Sequence, residues 1–165
     1  MTDRDPIAAA HDQWVTHGWT DAADGMALMT SVVRAQQLVH ERVEAVLRPH
    51  SLTFARFEIL RLLAFSRRGS MPMSRLGSLL QVHATSVTSA VARLETQGFV
   101  ERLRRESDRR VVLASLTTKG AQLVEVATRD LNEQVFSSPG LDPGEVREAT
   151  RLLSALRATH GDVVE

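Results

Sequence analysis

Cysteine is absent from the 165-residue sequence, and this absence excludes several kinds of protein. Without a thiol the chain can form no disulfide framework, no thiolate metal site and no thiol redox sensor. Long apolar runs are absent too, since no stretch approaches the roughly 20 residues that a transmembrane helix needs. The opening residues MTDRDPIAAAHDQW lack the charged and then apolar layout of a secretory signal. We therefore expect a cytoplasmic protein with no membrane partner.

Motifs for catalysis and for metal binding are also lacking. The sequence contains no Gly-rich phosphate loop, no nucleophile elbow and no paired-carboxylate motif, so we do not expect an enzyme. The six histidines include no pair at i, i+3 or i, i+4 spacing on one helix, and no Cys could assist them. We therefore expect neither a bound metal nor any other cofactor.

Charge is unevenly distributed in this formally neutral chain. Residues 67–110 hold nine Arg and four Asp or Glu, a local balance of +5, and the rest of the chain carries the opposite excess. Five of these Arg residues surround one polar turn in the stretch VERLRRESDRRVVLASLT, residues 100–117. Such asymmetry in a neutral protein indicates one face that meets a polyanion.

Periodicity predicts a mainly helical fold with one β-hairpin. Apolar residues recur at helical spacing until residue 98, where the period changes to two, and helical spacing resumes after the hairpin. We expect RRGSMP, residues 67–72, to be a loop. The predicted helices cover residues 5–18, 24–47, 52–65, 73–81, 84–98, 117–136 and 145–161, and the hairpin covers residues 99–116. Because only two residues link the helices before the hairpin, these helices must cross steeply, as in a helix-turn-helix.

The second of these two helices, HATSVTSAVARLETQG, has two different faces. One face is apolar and consists of Val87, Ala90, Val91 and Leu94. The other carries short hydroxyls and a guanidinium, from Thr85, Ser86, Thr88, Ser89, Arg93 and Thr96. A narrow helix face rich in donors can enter the major groove of DNA and reach base edges and phosphates. The alternative to DNA binding is that this polar face only contacts solvent.

The Arg-rich hairpin that follows predicts a second DNA contact. Its tip can lie along the minor groove, whose electronegative cleft attracts a guanidinium. Arg109 or Arg110 would enter the groove, and Asp108 would hold one of them by a charge-assisted hydrogen bond. We expect Arg102, Arg104 and Arg105 near phosphates, and His83 as a helix cap or a phosphate contact. The alternative is a charged edge that only prevents aggregation.

The helix-turn-helix and the hairpin that follows it resemble those of the MarR-type winged-helix transcription regulators. The resemblance covers residues 28–136 and is densest in the pattern SVTxxVxRLExxGFVxR, in the wing Asp108-Arg109-Arg110 and in the LTxKG that follows. It implies an obligate homodimer that binds a palindromic operator, usually to repress, and is released by a small anionic or aromatic ligand. The absence of Cys excludes the peroxide-sensing branch. A constitutive architectural DNA-binding protein and a zinc-responsive regulator remain as alternatives.

The expected organisation is a winged helix-turn-helix lobe with a helical dimerisation region. We place N-terminal dimerisation helices, with a possible ligand cleft, at residues 1–50, the DNA-binding lobe at 51–117 and C-terminal dimerisation helices at 118–165. The first long helix, residues 24–47, and the last two helices carry apolar stripes that a lobe of about seventy residues could not bury alone. Two lobes related by a two-fold axis would face half-sites about one helical turn apart.

Candidate ligand-binding residues come from the resemblance to the urate-responsive branch, in which a Trp of an extra N-terminal helix lines the cleft. Trp14 or Trp19 could take that part, and Glu58 matches the branch's acidic residue. Phe65 stands where that branch has an Arg, so the resemblance does not extend to urate. Arg34 and Arg61 are alternative anion partners, although pairing with a carboxylate such as Glu58 is the other interpretation. Phe57 and the tryptophans could equally pack the core or the dimer interface.

Overall fold

A computed structural model describes residues 4–105 and 108–164, and of Arg105, Asp108 and Arg109 it describes the backbone only. The described chain is mainly helical with one small antiparallel sheet, which confirms the expected fold class. The helices are α1 (Pro6–Thr16), α2 (Thr20–Leu47), α3 (Phe54–Phe65), α4 (Met73–Leu80), α5 (Ala84–Thr96), α6 (Thr118–Leu131) and α7 (Pro143–Ala158). The strands are β1 (Ser70–Pro72), β2 (Val100–Arg105) and β3 (Asp108–Leu116). A 3-10 turn, Arg48–His50, follows α2, and a π-helical turn, Asn132–Phe136, follows α6.

Side-chain caps define where several helices begin. Asp5, a residue type favoured at N-caps, accepts a hydrogen bond from the backbone of Ile7 at the start of α1, with Pro6 in the first turn. Thr53, also of a type favoured at N-caps, accepts from the backbone of Arg56 at the start of α3. Helix α7 begins two residues earlier than expected because Asp142 caps it in a reciprocal capping box with Glu145.

The chain divides into two compact units between Ala45 and Val46. In the first unit, α1 and the start of α2 form a helical hairpin around Gly18, whose φ of +83° suits glycine. His11 Nε2 lies 3.0 Å from the Asp24 carboxylate and so links the two helices.

The sheet of the second unit has the strand order β1-β3-β2. The expected hairpin is confirmed, with Val100 paired to Leu116 at its base and Arg105 paired to Asp108 at its tip. The prediction of a loop at residues 67–72 was wrong in part, because β1 pairs with β3 from Ser70↔Ser115 to Pro72↔Leu113. A three-residue strand that includes proline has no recognisable period of its own, and only the pairing with β3 makes it a strand.

The core of the second unit consists of aliphatic side chains from α3 to α6. Each of these side chains is at most 1% exposed: Ile59, Leu60, Leu63, Leu76, Val91, Leu94, Val124 and Leu131. Burying one such side chain contributes about 1.5–3 kcal/mol. This packing fixes α5 and the β2–β3 hairpin on one framework.

Gly120 lets α6 pass close to the base of the hairpin. A Cβ atom at this position would lie 2.1 Å from the carbonyl oxygen of Phe99 and 3.0 Å from Leu116 Cδ1. Glycine is therefore required at the last position of LTxKG, because the backbone of Phe99 lies too close for any side chain there.

Within the described residues, no helix is both long enough and apolar enough to span a bilayer.

Candidate nucleic-acid interface

Helix α5 is oriented as its pattern predicts. Val87, Val91 and Leu94 are at most 2% exposed and face the core. The polar residues named from the sequence are exposed on the other side: Thr85, Ser86, Thr88, Ser89, Arg93 and Thr96. The structure thus presents the hydroxyls and the guanidinium together on one accessible surface.

The hydroxyls on this surface differ in what they can still bind. Thr88 and Thr96 donate to the carbonyl oxygens of Ala84 and Ala92, one turn earlier, at 2.9 and 3.0 Å. Their oxygens can still accept, but donation to DNA would require breaking these bonds. In the described part of the chain, Thr85, Ser86 and Ser89 make no side-chain hydrogen bond, so these hydroxyls can both donate and accept.

His83 occupies the N-cap position of α5, but its side chain makes no capping hydrogen bond. His83 is therefore the cap residue by position, and its side chain stays available for another contact. Its imidazole is exposed at the start of the helix, where the positive end of the helix dipole favours an anion. Contact with a phosphate remains a prediction for this residue.

A concavity of about 490 Å³ lies between α5 and the start of α3. We call it the α3–α5 concavity; it is lined by Thr53, Arg56, Thr85, Ser86, Ser89, Ala90 and Arg93. Thr53 and Arg56 were not among the DNA-binding residues expected from the sequence. The one available signal was a basic residue in the first turn of α3, where the helix dipole opposes it.

Arg56 is held in place at this concavity. Its Nη1 donates to the carbonyl oxygen of Ser51 and to Gln97 Oε1, both at 3.2 Å, and its Nε donates to Thr53 Oγ1 at 3.1 Å. None of these acceptors carries a charge, so the positive charge of Arg56 is not neutralised by them. Arg56 and Arg93 therefore supply two cations to the surface that α5 presents.

The base of the β2–β3 hairpin is tied to α5 by an ion pair. Arg102 donates from Nε to Glu95 Oε2 at 2.8 Å, and its backbone N–H donates to Glu95 Oε1 at 3.3 Å. The hydrogen bond from Arg102 holds the pKa of Glu95 below its usual value. The expectation that Arg102 lies near phosphates is thus corrected, because Glu95 already neutralises it and the pair sets the hairpin against α5.

The hairpin tip bears the other predicted DNA contacts. Arg104 and Arg110 are exposed, and the ladder is irregular between Arg104 and Arg105. The side chains of Arg105, Asp108 and Arg109 lie outside the described part of the structure. Their assignment to the minor groove stays a prediction, as does the bond between Asp108 and one of the arginines.

Three of the seven candidate ligand residues lie at a second concave site. A cleft of about 250 Å³, which we call the Glu58 cleft, is lined by Phe54, Phe57, Glu58, Arg61, Leu62, Leu79, Leu80 and Phe136. It therefore brings together Phe57, Glu58 and Arg61. Phe65 lines a different cleft and is 75% exposed.

Arg61 pairs with a carboxylate, as one of the two interpretations held, but the partner is Glu125 and not Glu58. Arg61 Nη2 donates to Glu125 Oε1 at 2.7 Å and its Nη1 donates to Thr128 Oγ1 at 3.1 Å, both on α6. The guanidinium also lies 4.5 Å from the ring centroid of Phe65. Among the described atoms, Arg61 Nε is buried without a hydrogen-bond partner. Glu58 lines the cleft without pairing with Arg61, and burial raises the pKa of its carboxyl group.

The remaining candidates, Trp14, Trp19 and Arg34, belong to the first unit. The two indole rings pack edge to face with centroids 5.4 Å apart, and Trp19 is 55% exposed. Arg34 is exposed and its Nη1 donates to Gln37 Oε1 at 3.3 Å. The side-chain oxygen of Gln37 is uncharged, so the charge of Arg34 is not neutralised by this bond. A ligand-binding role for these three residues stays a prediction.

Comparison with known proteins points to one family. The sequence model described as the MarR family matches residues 52–112, a range that contains α3 to β2 and half of β3. Among curated proteins, the transcriptional regulator PecS of Dickeya dadantii is 29% identical over 135 residues, which cover 79% of this chain and 78% of PecS.

Solved structures agree with this match. Sco5413 of Streptomyces coelicolor, a MarR family transcriptional regulator, is 44% identical, covers 86% of this chain and 99% of its own, and superposes with a TM-score of 0.77. A mutant MarR from Escherichia coli, complexed with operator DNA, is 25% identical, covers 82% of this chain and 96% of its own, and has a TM-score of 0.73.

Proposed function

The chain belongs to the MarR family of DNA-binding transcriptional regulators, and from this premise we propose that it is a homodimeric repressor released from a palindromic operator by a small ligand. Members of this family regulate transcription and are not enzymes. The observation that carries the proposal is the exposed polar face of α5, with free hydroxyls and Arg93 beside the fixed cation of Arg56. We place the repressor in the cytoplasm, together with its operator.

In the proposed complex each lobe, residues 51–117, binds one half-site. Helix α5 enters the major groove, where Thr85, Ser86 and Ser89 bond base edges and phosphates while Arg56 and Arg93 contact phosphates. The hairpin tip lies along the adjacent minor groove with Arg110, Arg105 and Arg109. The Glu95–Arg102 pair keeps the hairpin at the angle from α5 that both contacts require.

The proposed dimer is supported by apolar side chains that a single chain leaves exposed. Helix α2 exposes about half of Leu28, Met29, Val33, Leu38 and Val39. Helix α7 exposes about half of Leu152 and Leu153 and buries no residue fully. Stripes of this size usually mark a protein interface, and in the proposed dimer both helices pack against a second copy.

The Glu58 cleft is the proposed ligand site. Aromatic rings from Phe54, Phe57 and Phe136 line the cleft together with the half-buried Glu58 and the guanidinium of Arg61. Because burial raises the pKa of Glu58, its carboxyl more readily keeps a proton and can donate a hydrogen bond to an anionic ligand. A single-ring aromatic ligand suits the small volume and the three rings that line the cleft.

The experiment has two arms. In the first, sedimentation equilibrium measures the mass in solution, where a dimer is expected and a monomer at micromolar concentration would contradict the proposal. In the second, a panel of aromatic acids, purines and acyl thioesters is screened by thermal shift, and each hit is tested for release of the DNA. We expect a hit to lower DNA affinity, because a ligand acts through its different affinities for the two states. Hits that stabilise the protein and leave DNA affinity unchanged would favour a constitutive architectural protein.

A further inference from the structure

A third cleft lies at the end of α3 that is remote from the α3–α5 concavity. We call it the arginine cleft; its volume is about 560 Å³. Leu62, Met71 and Leu79 give it an apolar lining, and Arg67, Arg68 and Arg75 supply three guanidinium groups. The volume falls in the range of small-molecule sites.

The three arginines of this cleft lack compensation. In the part of the chain that the structure describes, none of them has a hydrogen bond or an ion pair with another side chain, and no carboxylate lines the cleft. Three cations around one concave surface repel each other, and an anion in the cleft would relieve that repulsion.

The arginine cleft and the α3–α5 concavity lie at different ends of α3. The α3–α5 concavity includes Thr53 and Arg56 at the start of α3, whereas the arginine cleft includes Leu62 and Phe65 at its end. The nearest lining residues of the two sites on α3, Arg56 and Leu62, are six positions apart, which is about 9 Å along the helix axis. The strand pairing also places the cleft away from the hairpin tip. Ser70 lines the cleft and pairs with Ser115, which lies seven residues along β3 from Asp108 at the tip. Arg67, Arg68 and Arg75 therefore line a concave site that is distinct from the α3–α5 concavity.

Phe65 adds a flat apolar surface at the edge of the cleft. Its ring is 75% exposed, an unusual degree for a phenylalanine at the end of a core helix. The guanidinium of Arg61 lies over the ring, 4.5 Å from the centroid, and is itself fixed by Glu125 and Thr128. A fixed, exposed aromatic ring beside guanidinium groups can stack a planar ring while the arginines bind its anionic substituent.

We propose that the arginine cleft binds a small ligand in which a planar ring carries a phosphate or diphosphate group, the chemistry of a mononucleotide. The phosphate oxygens accept from Arg67, Arg68 and Arg75, and the planar ring stacks on Phe65. This proposal goes beyond the operator and the Glu58 cleft, and it can fail while both of those assignments stand.

The test is isothermal titration calorimetry of the full chain with adenosine diphosphate and, separately, with inorganic pyrophosphate. We expect one adenosine diphosphate per chain. The double variant Arg67→Ala/Arg68→Ala should weaken its binding about tenfold or more, because each lost charge-assisted hydrogen bond reduces affinity severalfold. The control Arg48→Ala/Arg129→Ala, which makes the same change in net charge outside the cleft, should bind as the wild type does.

A second variant separates the roles of the ring and the phosphate. Phe65→Leu should weaken adenosine diphosphate binding and leave pyrophosphate binding unchanged, since only the nucleotide has a ring to stack. Circular dichroism establishes that each variant is folded. The proposal is overturned if the wild type binds neither probe up to about 5 mM, a very weak limit. It is also overturned if the folded double variant and its control bind adenosine diphosphate equally well.

Discussion

Replacing Arg93 with Ala should make the DNA affinity of this protein less dependent on salt. Arg93 is exposed on the polar face of α5 and lines the α3–α5 concavity with Arg56. Its guanidinium has no ion-pair partner among the described residues, so its full charge is available to a phosphate. Each phosphate that a protein neutralises contributes about −0.9 to the slope of log affinity against log salt. A dimer with one Arg93 in each half-site should therefore lose about 1.8 from the magnitude of this slope.

The change is large enough to measure. Between about 50 and 200 mM salt, the wild type should lose about tenfold more affinity than Arg93→Ala, because the slopes differ by about 1.8. Fluorescence anisotropy with a labelled operator duplex measures both slopes. The matched control is Arg129→Ala, which removes the same charge from an exposed position on α6. Equal slopes for wild type and Arg93→Ala, or an equal decrease in Arg129→Ala, would refute the phosphate contact.

Three further predictions concern the framework and the Glu58 cleft. Gly120→Ala should destabilise the fold by about 1–3 kcal/mol, because the new Cβ would meet the carbonyl of Phe99, and an unchanged melting temperature would contradict that contact. Leu94→Ala should cost about 2–5 kcal/mol of unfolding free energy as it leaves a core cavity. In contrast, Ser89→Ala should cost less than about 0.5 kcal/mol of unfolding free energy and still weaken operator binding. Equal losses of stability in Leu94→Ala and Ser89→Ala would contradict the assignment of a buried and an exposed face to α5. Burial raises the pKa of Glu58 in the folded chain above its value in the unfolded chain. The stability that the protonated carboxyl contributes is therefore complete below the unfolded pKa and is lost as pH rises through the folded pKa. Glu58→Gln should therefore gain stability relative to the wild type across that window in chemical denaturation, and a difference independent of pH would show that the carboxyl titrates normally.

The sequence predicts best those features that depend on residues only a few positions apart. Asp5 and Thr53 cap helices by bonding backbone groups two or three residues away, so the signal lies within one turn. The two faces of α5 follow from helical spacing alone, and Val87, Val91 and Leu94 are buried as that spacing requires. The change to a period of two likewise located the hairpin.

Features that depend on distant partners were missed. Strand β1 exists because β3, some forty residues later, supplies its hydrogen bonds. Arg61 bonds to Glu125 and Thr128 on α6, and a sequence offers many carboxylates without showing which one folding brings near. Arg56 lines the same concavity as Arg93 only because α3 begins beside α5. Tertiary packing, which no local pattern encodes, decided all three.

Two copies of α5 and its hairpin should bind DNA with two-fold symmetry. Selection of tight-binding duplexes from a random DNA library, followed by sequencing, measures this symmetry. The enriched duplexes should share an inverted repeat whose half-sites lie about 10 base pairs apart, centre to centre. Enrichment of sequences with no inverted repeat, or no enrichment at all, would show that the protein does not bind DNA in this way.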